Sequence, residues 1–302
     1  MKVGILAGGL GTRLTEETDI RPKPMVEIGG KPILWHIMRH YLRHGFSHFV
    51  LALGYKGEHI KRYMVDYRTY NDSNLSIDMH NGDVKTVSTT TPLSESWTVD
   101  LIETGTKAET GTRIKRIVPY LGDDTFMLTY GDGVSDVNLS KLVEFHRSHG
   151  KLATMTVVHP PARFGRVEME EDQVARFIEK PQFAGEHGRQ VGEGWINGGF
   201  FVLEPGIADY IDDSESTKWE LEPLEALARD GQLMAYRHYS FWQCMDTMRD
   251  KTLLENAWND GNPPWTTSAC SRRGSNSSCV MASSARRIRT TISPHPADWT
   301  RR

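Results

Sequence analysis

The chain of 302 residues contains few cysteines and no long apolar run. Its three cysteines, Cys244, Cys270 and Cys279, have no paired C-x-x-C spacing, which argues against a disulfide framework and against a zinc site. No stretch approaches the roughly 18 apolar residues that span a bilayer, and the N-terminus lacks the pattern of a signal peptide. We therefore expect a cytoplasmic protein that does not bind a membrane.

A large excess of positive or negative charge is also lacking, since the formal net charge is only -3 at pH 7. Residues 266–302 hold seven Arg and one Asp, a local charge of +6 that leaves about -9 on the rest of the chain. A body with this negative balance does not suit nucleic acid, so we expect no nucleic-acid partner. The 38% hydrophobic and 25% charged residues are ordinary for a globular protein.

Short apolar runs alternate with helical periodicity along most of the chain. A strand after Lys2 runs into a glycine-rich turn, and Pro32 begins an amphipathic helix that ends before Gly45. Residues 70–103 alternate polar and apolar, which predicts inserted antiparallel ribbons. Further strands are predicted at 49–53, 126–130, 153–158 and 198–203, and helices near 112–120, 139–148, 217–229 and 247–258. The pattern predicts an α/β fold with one doubly wound, mostly parallel sheet.

The composition divides the chain into two segments. Residues 1–265 carry the periodic pattern, and we expect one folded domain there. In residues 266–302 Ser, Thr, Arg and Pro dominate without a face that could pack, which predicts a low-complexity, disordered basic tail. A lineage-specific extension and an altered reading frame both remain open as origins of this tail.

The glycine-rich turn from Gly8 to Arg13 is the strongest candidate site. Glycines let the backbone approach a phosphate and point amide donors at it, and Arg13 adds a cationic group. No Gly-Lys-Ser/Thr closes the turn as in a Walker A loop, and Leu14 stands where the dinucleotide fingerprint requires glycine. A dehydrogenase is therefore disfavoured, whereas a turn without a ligand remains the alternative.

Lys23 lies between Pro22 and Pro24, which restrict the backbone and predict an extended conformation for Lys23 itself. A second cation ten residues after Arg13 favours a triphosphate site. A solvated loop lysine remains the alternative.

Two aspartates are candidate magnesium ligands. Asp132 follows a buried strand and should emerge at the carboxyl edge of the sheet, where open α/β folds bind ligands. A carboxylate there can hold Mg²⁺ against phosphate oxygens, although a simple β-turn is the alternative. Asp246 precedes a helix, and the local sequence alone favours an N-cap for it.

Two groups of polar residues need separate interpretation. Glu179, Lys180 and Asn197 could bind hydroxyls and a phosphate, and Gly198 could give a sugar access to the backbone, although each is more often structural. Histidines at 36, 40 and 44 share one side of the predicted helix with arginines at 39 and 43. Because no Glu or Cys accompanies them, we interpret this side as a solvated face and not as a metal site.

Together these segments resemble the sugar nucleotidylyltransferase superfamily, and the N-terminal stretch is similar to its glucose-1-phosphate cytidylyltransferase branch. The resemblance covers about residues 1–265. Leu10 favours this branch, because the thymidylyl branch usually has Ser within the glycine loop. The matching motifs are, in order, Leu6–Leu14, Glu16–Thr18, Lys23–Met38, Tyr130–Gly133 and Asn197–Phe201.

The resemblance implies a Rossmann-like nucleotidyltransferase fold and transfer of a cytidylyl group from CTP to α-D-glucose 1-phosphate, giving CDP-glucose and pyrophosphate. It further implies Mg²⁺, a homo-oligomer and a role in dideoxysugar synthesis for surface polysaccharide. The implied nucleotide-binding residues are Leu6, Ala7, Gly8, Gly9, Leu10, Gly11, Thr12, Arg13, Lys23, Thr104, Gly105, Arg113 and Gly131. The implied sugar-phosphate residues are Glu179, Lys180, Asn197 and Gly198, the metal ligands are Asp132 and Asp246, and the catalytic cations are Arg13, Lys23 and Lys180.

Two other functions remain open. A thymidylyl- or uridylyltransferase acting on a hexose 1-phosphate would share the fold and most motifs. A non-catalytic nucleotide-sugar binding protein would keep the glycine loop but lose the metal carboxylates, and the retention of Asp132 and Asp246 disfavours it.

Overall fold

The computed structural model describes residues 1–11, 14–77, 84–89, 96–160, 166–170, 173–178 and 194–266. The strands are β1 (Val3–Leu6), β2 (Glu27–Ile28), β3 (Lys31–Pro32), β4 (His48–Leu53), β5 (Ser73–Ile77), β6 (Val84–Thr89), β7 (Thr98–Glu103), β8 (Phe126–Tyr130), β9 (Gly133–Ser135), β10 (Ala153–Val158), β11 (Arg166–Glu170), β12 (Gln173–Ile178), β13 (Ile196–Leu203), β14 (Leu233–Arg237) and β15 (Trp242–Cys244). The helices are α1 (Thr15–Thr18), α2 (Ile33–Arg43), α3 (Gly57–Asp72), α4 (Thr110–Leu121), α5 (Leu139–His149), α6 (Glu222–Arg229) and α7 (Met248–Asn259). Short 3₁₀ turns lie at Lys23–Met25, Pro205–Tyr210 and Pro264–Thr266.

A seven-stranded sheet in the order β14-β10-β13-β8-β1-β4-β7 forms the centre of the fold. The strands from β8 to β7 are parallel to one another, and β14 is parallel to β10. Only β13 is antiparallel to its neighbours within this sheet. The predicted mixed, mostly parallel sheet is therefore confirmed.

Helices cover both faces of this sheet. Successive side chains of a strand point to opposite faces, so a buried strand contributes apolar side chains to a core on each face. In β4, Phe49 and Leu51 belong to one hydrophobic core and Val50 and Ala52 to the other. Helix α2 packs in the first core and α4 in the second. The doubly wound arrangement is confirmed. Strand β1 lies between β4, the next strand of this sheet along the chain, and β8, which follows later. The loop after β1 thus lies at the strand-order reversal where open α/β sheets bind ligands.

The ribbon prediction for residues 70–103 was only partly right. Strands β5 and β6 form an antiparallel ribbon, as predicted. Strand β7 instead joins the main sheet parallel to β4. Strand β7 lies at the edge of the sheet and is only half-buried, so its sequence shows the alternation of polar and apolar residues that an antiparallel ribbon also shows. Helix α3, the ribbon β11–β12 and edge strand β14 were not predicted.

The interpretation of the polar side of α2 as a solvated face was wrong for His36 and His40, although Arg43 is exposed. His36 and His40 are only 2% and 6% exposed. Trp265 Nε1 donates to His36 Nδ1 at 3.2 Å, and His36 Nε2 donates to the carbonyl oxygen of Ile28 at 2.9 Å. Burial lowers the pKa of His36 to about 4 and that of His40 to about 3, so both imidazoles are neutral.

Among the helices that the structure describes, none is long and apolar enough to cross a membrane. The predicted tail, apart from Thr266, lies outside the described residues.

Candidate active site

A cleft of about 250 Å³ opens between the loop after β1, the end of β8 and the first turn of α4. Many of the predicted site residues line it, namely Leu6, Ala7, Gly9, Gly11, Lys23, Arg113, Gly131 and Asp132. The rest of the wall was not predicted from the sequence and consists of Pro24, Ala108, Glu109, Thr110 and Tyr130. Of the predicted residues, Thr12, Arg13, Glu179 and Lys180 lie outside the described part of the chain.

The glycine loop presents backbone to this cleft. A side chain at Gly8 would collide with the Arg113 guanidinium, whereas Gly9 borders open space. Gly11 has a left-handed φ of 65°, and Leu10 is exposed. No N–H of residues 9–11 donates to another residue that the structure describes. These amides are therefore available to an anionic ligand, as the sequence predicts.

Lys23 connects the two candidate metal ligands. Its ammonium donates to Asp132 Oδ2 at 2.7 Å and to Asp246 Oδ1 at 2.6 Å, and its side chain is only 11% exposed. Burial acts to lower the pKa of Lys23, but the two carboxylates outweigh it and the pKa is raised. Lys23 is therefore a buried cation held between two anions and not a solvated loop lysine.

The predicted extended conformation of Lys23 was wrong. Pro22 is extended, with φ -66° and ψ 149°, and Lys23 begins the 3₁₀ turn that follows it. Pro24 is compatible with this turn because the first N–H groups of a helical turn have no partner within it. The two prolines fix the turn, and the turn directs the Lys23 side chain into the cleft.

A short antiparallel ribbon brings Asp132 and Asp246 together across 114 positions of sequence. Strand β9 pairs with β15 there, and the Met245 N–H donates to the Asp132 carbonyl oxygen at 2.8 Å. Trp242 and Met245 are buried and anchor the second strand. The two carboxylates consequently emerge side by side at the edge of the cleft.

Asp246 is not the helix N-cap that the local sequence favours. Thr247 caps α7, and a reciprocal capping box joins it to Asp250. The Asp250 carboxylate also accepts from the N–H of Asp246 at 3.1 Å, which holds the Asp246 backbone. The Asp246 carboxylate is left to face Lys23.

Arg113 forms a buried cation beneath the glycine loop, with 3% exposure. Its Nη1 donates to the carbonyl oxygens of Leu53 and Gly105 at 3.1 and 2.8 Å and to Thr104 Oγ1 at 2.7 Å. Burial lowers the pKa of Arg113. The structure thus brings together three of the implied nucleotide-binding residues, Thr104, Gly105 and Arg113, and it joins them to the ends of β4 and β7.

Asn197 approaches the cleft through Tyr130, whose hydroxyl accepts from Asn197 Nδ2 at 3.3 Å. Gly198 is packed inside the sheet, where its carbonyl oxygen accepts from Trp242 Nε1 at 2.7 Å. A Cβ at Gly198 would lie 2.9 Å from Val158 Cγ1, so glycine is required there by packing. Of the implied sugar-phosphate residues that are described, Asn197 thus contacts the cleft wall through Tyr130, and Gly198 does not face the cleft.

Known proteins share this arrangement of sequence and fold. The Nucleotidyl transferase family matches residues 2–261. The chain is 48% identical over 275 residues to glucose-1-phosphate cytidylyltransferase of Salmonella typhi, which covers 88% of this chain and 99% of that protein. It is 42% identical over 265 residues to a probable glucose-1-phosphate cytidylyltransferase of Bacillus subtilis, with the same coverage. The structure of HddC from Yersinia pseudotuberculosis complexed with GMP-PN superposes with a TM-score of 0.57 at 25% identity, covering 85% of this chain and 99% of that one. The chain belongs to the nucleotidyl transferase family.

Proposed function

We propose that this enzyme transfers the cytidylyl group of CTP to α-D-glucose 1-phosphate and releases pyrophosphate. The observation that carries the proposal is the half-buried cluster of Lys23, Asp132 and Asp246 beside a glycine loop whose amides have no partner among the described residues. The choice of CTP and glucose 1-phosphate rests on the relatives from Salmonella typhi and Bacillus subtilis, whose names state that activity.

The reaction requires positioning and charge neutralisation more than acid–base chemistry. A phosphate oxygen of the sugar phosphate is already anionic, and it attacks the α-phosphorus of CTP in line. The bond from the α-phosphorus to the bridging oxygen breaks, and pyrophosphate leaves with the electron pair. Preorganised donors stabilise the charge that develops on the phosphates. In this chain we assign that role to the amides of residues 9–11, to Lys23, and to Arg13 and Lys180 by family resemblance.

The carboxylates of Asp132 and Asp246 fit a divalent metal, and we propose Mg²⁺. Both accept from a single ammonium, so they lie close enough to share one cation. Carboxylate, phosphate and water oxygens are the ligands that Mg²⁺ prefers. When bound, Mg²⁺ would neutralise phosphate charge. Lys23 would then exchange its carboxylate partners for oxygens of the triphosphate.

Pyrophosphate release tests the proposal directly. Wild-type enzyme, glucose 1-phosphate and Mg²⁺ are combined with CTP, UTP, dTTP, GTP and ATP in separate assays, and we expect the highest kcat/KM with CTP. Faster turnover with dTTP or UTP would assign the enzyme to another branch of the family. Binding of nucleotide without release of pyrophosphate would support the non-catalytic alternative.

A further inference from the structure

Tyr130 and Glu220 form a hydrogen-bonded chain that ends on Asn197. The Tyr130 hydroxyl donates to Glu220 Oε1 at 2.6 Å and accepts from Asn197 Nδ2 at 3.3 Å. The other carboxylate oxygen of Glu220 accepts from Thr110 Oγ1 at 2.6 Å. Thr110 and Tyr130 both line the cleft. An exposed carboxylate outside the cleft thus has both of its oxygens bonded to hydroxyls of the cleft wall.

This chain fixes the orientation of the Asn197 amide. Asn197 Oδ1 accepts from the Gly199 N–H at 2.8 Å, which identifies the oxygen, and one N–H is directed at Tyr130. The Tyr130 ring cannot turn aside, because it packs edge-to-face against Phe201 and leaves no room for a side chain at Gly199. The second N–H of Asn197 is therefore held in one direction.

Glu220 also fixes the direction of the Tyr130 hydroxyl. A neutral hydroxyl has one proton, and because Glu220 accepts it, the lone pairs of the oxygen are left for Asn197.

The Glu220 carboxylate is not needed to attach its own segment to α4. Backbone bonds already make that attachment, from the Gly111 N–H to the Thr217 carbonyl oxygen and from the Glu109 N–H to the Glu215 carbonyl oxygen, each at 2.9 Å. Trp219 is fully buried beside them. The backbone of this segment is thus fixed on α4 without the Glu220 side chain, while the carboxylate's own bonds go to the cleft wall.

We propose that Tyr130 and Glu220 are positioning residues for the hexose phosphate, with Glu220 acting through Tyr130 to orient the Asn197 amide toward the sugar. This inference rests on the proposed function, since it assigns the Asn197 side of the cleft to the sugar phosphate. It predicts an effect confined to that substrate and separable from folding.

The test compares steady-state constants for both substrates in a small set of variants. We expect Tyr130→Phe and Glu220→Ala each to raise the KM for glucose 1-phosphate about tenfold. Each variant loses the hydrogen bond between the Tyr130 hydroxyl and the charged Glu220 carboxylate, and a bond to a charged group has about this effect. The KM for CTP should stay within about twofold, and the double variant should resemble the worse single variant because both act through one chain. Glu220→Gln keeps an acceptor for Tyr130 and should restore most of the affinity.

Glu215→Ala is the matched control for Glu220→Ala. It makes the same change in the same segment, but Glu215 pairs with Arg116 and not with the cleft wall. It should leave both KM values unchanged. Equal rises in the two KM values together with a lower thermal transition would give Tyr130 and Glu220 a purely structural role and overturn the inference. An unchanged KM for glucose 1-phosphate would overturn it as well.

Calorimetry separates this inference from the proposed function. Glucose 1-phosphate is titrated into wild type and Tyr130→Phe, each saturated with an α,β-methylene analogue of CTP and Mg²⁺. If wild type makes no CDP-glucose, the proposed function fails, yet weaker binding of glucose 1-phosphate to Tyr130→Phe would still support the positioning role. Equal binding to both proteins, or binding to neither, would overturn that role.

Discussion

Two buried cations, Lys23 and Arg113, line the same cleft but have different partners. Lys23 contacts the carboxylates of Asp132 and Asp246, which raise its pKa. Arg113 contacts two carbonyl oxygens and one hydroxyl, and burial lowers its pKa. Phosphate oxygens can replace the carboxylates as partners of Lys23, and a metal ion can replace Lys23 as the partner of the carboxylates, whereas movement of Arg113 would leave buried carbonyl groups unpaired. The partner of a cation, more than its charge, therefore indicates whether it binds a ligand or holds the fold.

The largest expected effect comes from the anions that hold Lys23. Asp132→Asn or Asp246→Asn removes a negative charge and little volume, so we expect normal folding and a fall in kcat of about two orders of magnitude, or about 3 kcal/mol. Single-turnover rates at saturating substrates measure the loss. Since Thr247 caps α7, Asp246→Asn should not destabilise that helix.

A double variant then tests whether the two aspartates hold one ion. The effects of groups that act as a unit are not additive. The fall in kcat of the double variant, Asp132→Asn with Asp246→Asn, should therefore be far smaller than the product of the two single-variant falls. Multiplying effects would mean that the two carboxylates act separately. In that case, the proposed shared metal site would have to be redrawn.

A somewhat smaller effect is expected at Lys23 itself. Lys23→Ala removes a preorganised donor from the triphosphate and should cost about 2–3 kcal/mol in kcat/KM. It also leaves Asp132 and Asp246 without their cation, so added Mg²⁺ should raise the thermal transition of the variant more than that of wild type.

Lys115→Ala is the control for Lys23, because its half-buried ammonium donates to the carbonyl oxygen of Ile211 and neither residue lines the cleft. Its kcat/KM should be close to that of wild type. A Lys23 variant within twofold of wild type would show that the residue only balances the two carboxylates.

At Arg113 the comparison predicts a loss of stability. Arg113→Lys keeps the charge but cannot reproduce the guanidinium bonds to the ends of β4 and β7, so we expect the free energy of unfolding to fall by about 2 kcal/mol in urea titrations. Arg116→Lys, on the same helix but half-exposed, should lose less. Unchanged stability with a large rise in the KM for CTP would instead make Arg113 a nucleotide ligand, as the family resemblance implies.

Features that depend on nearby residues could be predicted from sequence. A strand that ends in glycines places open backbone at the sheet edge, which is where the structure has Gly9 and Gly11. A carboxylate directly after a buried strand emerges at that same edge, as Asp132 does. In both cases the determining neighbours lie within a few positions of the site.

Features that depend on distant partners could not be predicted in this way. From the local sequence alone the α2 histidines are expected to be solvated. In the fold, Trp265, which lies 229 positions from His36, packs against this side of the helix. Asp246 looks like an N-cap until the β9–β15 ribbon carries it to Lys23. Glu220 gives no local signal at all, because its bonds to Thr110 and Tyr130 span 110 and 90 positions.

The smallest expected effect concerns residues 267–302. Every described partner of Lys23 and Arg113 lies before residue 267, and the family match ends at 261. The removed segment lacks apolar periodicity, so its deletion should bury or expose little surface. We expect kcat/KM within twofold of wild type and a thermal transition shifted by less than about 2 °C.

Trp265→Ala is the contrast to this deletion, and it marks where the fold needs the chain. Trp265 is 1% exposed, donates to His36 and stacks on Phe241 at 5.7 Å between ring centroids. Removing its side chain should destabilise the protein by about 3–5 kcal/mol, the usual cost of deleting a buried aromatic ring. Both proteins are compared by thermal denaturation and by gel filtration. If the deletion destabilises as much as Trp265→Ala, or changes the oligomeric state, then residues 267–302 are part of the fold and the domain boundary proposed at 265 is wrong.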